Sequence, residues 1–365
     1  MTIPLMDIHA QYGPLRSELD AAIAGVLDSG KFILGPNVSG LEATLTERLG
    51  RPCVGVANGT DALVIALQAL DVGIGDEVIT TPYTFYATAE AIARIGAVPV
   101  FVDIDPATYC IDPAKIVERI GPKTKAIIPV HIFGYPADME AICALAAEHG
   151  LAVIEDCAQA FGATINGQEI GTFGDIGTFS FFPTKNFPGI GDGGFVTCRD
   201  DGLAARVKRL RFHGSEDKVT FTEVGYNSRL DDLQAAAIRV FYPHVDRWNE
   251  QRRQAAAWYA DAGLGEFMTL PATADHTTHI YHLYMARHEA REEIRAALSA
   301  EKIGAAVYYG IPMHRQPVFA HLGYSDGDLP VAELSAATGL AMPMHPHLTR
   351  GDVEQVVTVV RNALA

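Results

Sequence analysis

Between residues 62 and 156 the chain alternates helix and strand with a regularity that few folds accommodate. Ala62–Leu70 reads as a helix, Asp76–Thr80 as a strand, Ala87–Ile95 as a helix and Pro99–Asp103 as a strand. A helix over Pro113–Ile120, a strand over Ala126–Val130, a helix over Asp138–His149 and a strand over Ala152–Asp156 continue the series. This alternation predicts an α/β fold with a mainly parallel, seven-stranded-type sheet covered on both faces. Upstream, helices are predicted over Pro14–Ser29, with Leu15, Leu19, Ile23, Val26 and Leu27 on one face, and over Ser39–Leu49; Gly30 and Gly50 end them. After about Tyr242 the pattern changes to a long helix over Val245–Tyr259, a strand over Ile280–Ala286 and helices over Glu292–Glu301 and Thr349–Ala363. We expect a large domain over 1–242 and a smaller C-terminal α+β domain over 243–365, within the size range of two domains.

The formal charge of −16 argues against nucleic acid as a partner, since a basic footprint is the usual requirement. Local basic or amide-rich pockets could still take a phosphorylated ligand. Five cysteines with no C-x-x-C pair read as reduced thiols of a cytoplasmic protein. The amino terminus MTIPLMDIHAQYG lacks a basic stretch followed by an apolar core, so no secretory signal is expected, and no apolar run is long enough for a membrane span.

Chemistry concentrates around Lys185. It follows the strand-like run Thr178–Phe182, leaves through Pro183, and precedes four glycines at 189, 191, 193 and 194. A long amine at a strand end, with glycines that let backbone approach, suits an aldehyde cofactor held as a Schiff base. Upstream, the apolar strand Ala152–Asp156 ends in an acid, where open α/β sheets place ligand groups. A carboxylate beside a lysine is the pair that pyridoxal 5'-phosphate requires: the acid keeps the ring nitrogen protonated and the lysine holds the aldehyde carbon. Asn58-Gly59-Thr60-Asp61 opens a helix whose free amides could bind a phosphate, although a plain N-cap would explain it equally. Phe85 follows a predicted strand end, where an aromatic ring can stack on a flat cofactor. Gly189, Gly191 and Gly194 match G-x-G-x-x-G, but the strand-like Phe195–Cys198 follows, so a dinucleotide loop is rejected. His276, His279 and His282, like His345 and His347, have no ligand set to complete, so no metal is expected.

In order and spacing, the segments GKFILGPNVSGLE, ANGTDAL, TPYTFYATAEAI, VIEDCAQAFGA, SFFPTKNFPGIGDGG, GYNSRLDDLQAA and YYGIPMHRQP resemble the DegT/DnrJ/StrS sugar aminotransferases. The resemblance implies the fold-type I pyridoxal phosphate architecture, L-glutamate as amino donor, and a homodimer with shared active sites. It makes Lys185 the cofactor-binding lysine and proton shuttle, Asp156 the partner of the ring nitrogen and Gln159 that of the ring hydroxyl. Gly59, Thr60 and Ser180 would hold the phosphate, Phe85 would stack on the ring, and Asn227 would reach the phosphate of the other subunit. His213, Arg229, Tyr308 and Tyr309 match positions that face the sugar in relatives aminating C3 of a nucleotide-linked keto sugar. Phe161 stands where many relatives carry histidine and Gly310 where near ones carry proline. A C4 sugar or cyclitol substrate, or a cofactor-binding regulator without turnover, is the alternative.

Overall fold

The computed structural model describes residues 2–365. Its central sheet has seven strands: β1 (Cys53–Val56), β2 (Glu77–Thr80), β3 (Val98–Phe101), β4 (Thr124–Ile128), β5 (Ala152–Asp156), β6 (Ile176–Ser180) and β7 (Gly194–Cys198). Their order across the sheet is β1-β7-β6-β5-β4-β2-β3. Neighbours from β6 to β3 pair in parallel, and β7 runs antiparallel to both β1 and β6. The mainly parallel sheet expected from the alternation is therefore present, with one reversed strand.

Successive residues point to opposite faces, and both faces are buried, so the strands read as nearly continuous apolar runs. Val54, Val78, Ile128, Ile154 and Val196 pack against helices α3 (Gly59–Ala69), α4 (Tyr86–Arg94) and α6 (Asp201–Leu210). Ile79, Ile127 and Val153 face the other way, toward α5 (Met139–His149). Cys53, Phe179 and Phe195 meet α2 (Pro36–Leu49) and α7 (Asp232–Phe241) on that same side. Helix α1 (Arg16–Ser29) precedes them and ends at Gly30, whose φ of 64° is the left-handed cap that the sequence suggests.

A further core gathers α8 (Val245–Asp261), α9 (Arg291–Ala300) and α11 (Arg350–Ala363) around the antiparallel pair β8 (Tyr284–Arg287) and β9 (Gly339–Met342). Ile3 joins this core and bridges to Ile303, so the first residues pack with the C-terminal layer.

Elements that escape the sequence reading include β1, α6, α10 (Pro330–Thr338) and β9. The strand expected over Ile280–Ala286 is shorter. Only β8 pairs with β9, while Ile280 and Leu283 donate their amides to Gly134 O and Phe133 O, and Tyr281 has a φ of 48°. Residues 280–283 are thus a strap across the first core.

Candidate active site

Four chain segments leave the carboxyl ends of parallel strands at one edge of the sheet. β1 leads to Gly59 and Thr60 at the start of α3; β2 leads to Phe85, which precedes α4. β5 ends in Asp156, and β6 ends in Ser180 ahead of Lys185. A cavity of about 790 Å³ lies among them. Gly59, Thr60, Phe85, Asp156, Gln159, Ser180 and Lys185 all line it, as do Tyr308, Tyr309 and Gly310 from the C-terminal part. Crevices outside strand carboxyl ends are where open α/β sheets bind ligands.

Asp156 is 5% exposed. Its Oδ2 accepts from Thr88 Oγ1 at 2.7 Å, and its Oδ1 accepts from Ala158 N at 3.2 Å. Burial pushes its carboxyl above the usual range; the two hydrogen bonds and the Lys185 charge oppose that push. Among the described residues no cationic side chain lies within ion-pair distance of it. A carboxylate held in place this way, without a cation, fits a ligand that brings a positive charge of its own. Lys185 lines the same cavity. Burial lowers its amine from 10.5 to about 8, and Asp156 works against the shift. It therefore carries a substantial neutral fraction near pH 8, which nucleophilic attack on an aldehyde requires.

The amino end of α3 fits a phosphate. Asn58 caps it by accepting from Asp61 N at 2.8 Å, which leaves the first amides directed at the cavity. Gly59 has a steric reason to be glycine, since a Cβ there would stand 2.8 Å from Ser180 Cβ. Helix start and strand end approach each other only without that atom. Gln159 lies across the cavity, but its amide is engaged: Oε1 accepts from Phe133 N at 2.7 Å and Nε2 donates to Tyr309 OH at 3.0 Å. A ligand hydroxyl would share or displace the tyrosine contact. Thr88, which holds Asp156, is absent from the sequence reading; its signal was its position one turn after Phe85 on α4.

Three expected site residues lie outside this cavity in their own chain. Asn227 is exposed and bridges to Phe212. His213 is exposed with a φ of 64°, and the Arg229 guanidinium sits 5.6 Å over the Phe212 ring. Phe161 is core: its ring lies 4.6 Å from Phe187, with the Arg48 guanidinium 4.9 Å above it. The glycines of 189–194 serve packing, since a Cβ at Gly191 would collide with Gln234 of α7. His131, Glu155 and Cys157 lie close together, yet their groups are committed. His131 Nδ1 accepts from Ala137 N, so Nε2 carries the proton and donates to Glu155 at 3.2 Å. Glu155 also accepts from Gly171 N, Phe173 N and Gly174 N, and the Cys157 thiol donates to Glu155 O, so the carboxylate and the imidazole are engaged within the protein.

A parallel sheet whose strand ends gather a lysine, a carboxylate and a helix amino terminus defines the chain as an enzyme of the pyridoxal-phosphate aminotransferase class. The profile of the DegT/DnrJ/EryC1/StrS aminotransferase family matches residues 14–361, and the chain belongs to that family. It is 47% identical to a UDP-N-acetyl-3-dehydro-alpha-D-glucosamine 3-aminotransferase of Acidithiobacillus ferrooxidans, covering 99% of this chain and 98% of that protein. It is 48% identical to a pleiotropic regulatory protein of Geobacillus stearothermophilus, covering 98% and 97%. The crystal structure of S. venezuelae DesV superposes with a TM-score of 0.96 at 42% identity, covering 99% of this chain and 98% of that one.

Proposed function

We propose that the protein transfers an amino group from L-glutamate to a keto group, at C3, of a nucleotide diphosphate-linked keto-deoxy sugar. The observation that carries the reading is the pairing of Lys185 with the buried Asp156 in one cavity. The 3-aminotransferase named above, alike over nearly the whole chain, supports C3. Pyridoxal phosphate, when bound, supplies an aldehyde that carries the amino group and a ring that stores the electron pair released at the substrate carbon. The protein's own groups do the rest. The amides of Gly59 and Thr60 with the Ser180 hydroxyl hold the phosphate, Phe85 packs on the ring, and Gln159 binds its hydroxyl. Asp156 keeps a negative charge against the ring nitrogen in a site with little water, where such a pair is strong. Lys185 anchors the cofactor and, when free, carries a proton on Nζ between donor and acceptor carbons.

The site reads as shared between two copies of the chain. Asn227, His213 and Arg229 lie outside their own cavity, while Phe182 (49% exposed) and Phe32 (44%) leave apolar surface uncovered. A homodimer that presents Asn227 to the neighbouring phosphate, and His213 and Arg229 to the sugar beside Tyr308 and Tyr309, accounts for both. We read 1–242 as the cofactor-binding part and 243–365 as the C-terminal part, with the Ile3–Ile303 bridge joining them. All five cysteines are free, which suits a reducing cytoplasm, and no helix among the described residues is long and apolar enough to cross a membrane.

The test is a panel of 3-keto and 4-keto nucleotide sugars and keto cyclitols, offered with glutamate and scored by mass for the amine. Amination of a 4-keto sugar or a cyclitol alone would replace the C3 assignment. The regulatory relative raises a second reading, a cofactor-binding regulator without turnover. Absence of a half-reaction with glutamate would favour it.

A further inference from the structure

Two hydroxyls beside Asp156 have no part in the transfer as described. Thr84 and Thr88 are each 1% exposed, and both line the cavity that holds Asp156 and Lys185. They stand four residues apart, with Phe85 between them, where the chain leaves β2 and enters α4. Thr88 Oγ1 donates to Asp156 Oδ2 at 2.7 Å, and the two threonine oxygens lie 3.1 Å apart. A hydroxyl has one proton to give. Thr88 gives its proton to the carboxylate, so in the second bond Thr84 is the donor and Thr88 the acceptor. Among the described residues Thr84 Oγ1 has no other partner. The second carboxylate oxygen, Oδ1, accepts from Ala158 N at 3.2 Å. A protonated carboxyl fits this arrangement badly. A proton on Oδ2 would either weaken that oxygen as an acceptor for Thr88 or reverse the row. Reversed, Asp156 donates to Thr88 and Thr88 to Thr84, and the Thr84 proton is left buried without an acceptor. A proton on Oδ1 would compete with the Ala158 amide for the same oxygen.

We propose that Thr84 and Thr88 are positioning residues, a one-way row of hydroxyl donors that keeps Asp156 ionised and fixed in the cavity wall before the cofactor arrives. The inference rests on the assignment of Asp156 as the partner of the ring nitrogen. Burial pushes the Asp156 carboxyl upward, and the Thr88 hydrogen bond is the largest of the effects that oppose it, ahead of the Ala158 amide, Lys185 and His131. The titratable groups around Asp156 are Lys185 on the loop after β6, His131 after β4, Cys157 next along the chain and Tyr309 from the C-terminal part. His131 is committed elsewhere, to Ala137 N and to Glu155. Lys185 ceases to be a free ammonium once its amine enters a covalent bond. The threonine row and the Ala158 amide then remain to hold the carboxylate. Thr84 acts through Thr88, because a donor onto the Thr88 oxygen polarises its O–H and strengthens the bond that follows. The order Thr84-Phe85-Tyr86-Ala87-Thr88 sets the row and the aromatic proposed to pack on the ring within one short segment.

The test titrates the Asp156 carboxyl of the full-length apoprotein by NMR of carboxyl-labelled aspartate, with Asp156→Asn assigning the signal. Alongside it, the affinity for pyridoxamine 5'-phosphate is measured across pH; that form has no aldehyde for Lys185 to attack, so the lysine sets no condition on its binding. Thr88→Val keeps the shape and removes the donor. Its carboxyl midpoint should rise by about one unit or more, the scale of a hydrogen bond to a charged group. Pyridoxamine phosphate should then bind about tenfold more weakly below the wild-type midpoint, and within about twofold of wild type well above the raised one. Thr84→Val leaves the direct donor in place, so its midpoint should rise by roughly a few tenths of a unit. Thr88→Ser restores the hydroxyl and should restore the midpoint. An unshifted midpoint in Thr88→Val would overturn the proposal even if affinity fell, because packing damage alone weakens binding at every pH. An unshifted midpoint in Thr84→Val would overturn it too, since the row would then be a single donor. Should Thr88→Val fail to fold, Thr84→Val carries the test. A wild-type affinity that does not follow the Asp156 midpoint would instead sink the assignment of Asp156 to the ring nitrogen.

Discussion

Gly59→Ala tests the cofactor cradle by one methyl group. The new Cβ would stand 2.8 Å from Ser180 Cβ and 3.4 Å from its Cα. Ordinary carbon contacts lie at about 3.5–4.0 Å, so the start of α3 has to retreat from the end of β6 by roughly 0.7 Å or more. Neither partner yields easily: the struck atom is the first of its side chain, and α3 is anchored by fully buried Ile65, Ala66 and Leu67. Overpacking of this kind costs about 1–3 kcal/mol of stability. The retreat also withdraws the amides proposed to hold the phosphate, and small misplacements at such sites cost up to about 100-fold. We expect pyridoxal phosphate to bind at least about tenfold more weakly, or ~1.4 kcal/mol. Chemical unfolding of the apoprotein and absorbance titration with cofactor read the two effects separately. Ser180→Gly removes the struck atom, so the double variant Gly59→Ala/Ser180→Gly should recover about 1 kcal/mol or more relative to the sum of the singles. Strict additivity would refute the argument that close approach is the reason for glycine.

Four further outcomes follow from the same geometry. Borohydride should fix the cofactor to Lys185, and Lys185→Ala should resist labelling; mass spectrometry that finds another lysine labelled would move the assignment. Asp156→Asn keeps the Thr88 contact but loses the charge, so cofactor should still bind while the glutamate half-reaction falls by orders of magnitude; a near wild-type rate would end the electron-sink role. Mixing Lys185→Ala with Asn227→Ala chains should raise activity above either parent, since a hybrid dimer carries both lesions in one site and neither in the other; no recovery in verified hybrids of an impaired Asn227→Ala parent would return Asn227 to its own subunit. The folded amine of Lys185 is lowered from 10.5 to about 8, so between those values the unfolded chain binds more protons and apoprotein stability rises with pH. Lys185→Met should therefore stabilise the apoprotein by up to ~3 kcal/mol near pH 7, with the gain vanishing above about pH 10.5, as urea midpoints across pH would show.

Much of the fold was legible because its signals are local. The run Ala152–Asp156 is apolar on both faces and ends in an acid, and it forms β5 with those bounds. Gly30 and Gly50 mark helix ends through their positive φ. The elements that escaped depend on distant partners. β1 is four residues long and becomes a strand only by pairing with β7, far along the chain. Ile280–Leu283 has the composition of a strand, yet its amides go to the loop at Phe133 and Gly134, which a β-pattern cannot encode. At the site, Lys185 and Asp156 could be found because each sits at a strand end with a recognisable flank. Thr88 was harder to find: its position one turn after Phe85 was a signal, but its contact with Asp156 exists only once α4 is folded against the sheet edge.

The cavity is organised around an electrostatic mismatch. Burial disfavours the charge on both Asp156 and Lys185; Asp156 opposes that at the lysine, and hydrogen bonds from Thr88 and Ala158 together with the Lys185 charge oppose it at the carboxylate. Thr88 Oγ1 and Ala158 N nevertheless hold Asp156 as an acceptor, the ionised role. A ligand that brings a protonated ring nitrogen to Asp156 and consumes the Lys185 amine in a covalent bond relieves both strains at once. Ligands of the folded state stabilise it by mass action, and here part of the binding energy would be the removal of a penalty present in the apoprotein. That couples cofactor affinity to pH through two groups, the carboxylate that needs to be ionised and the amine that needs to be free. Both conditions are lost on acidification, so the site should hold its cofactor best above the pH at which Asp156 or Lys185 gains a proton.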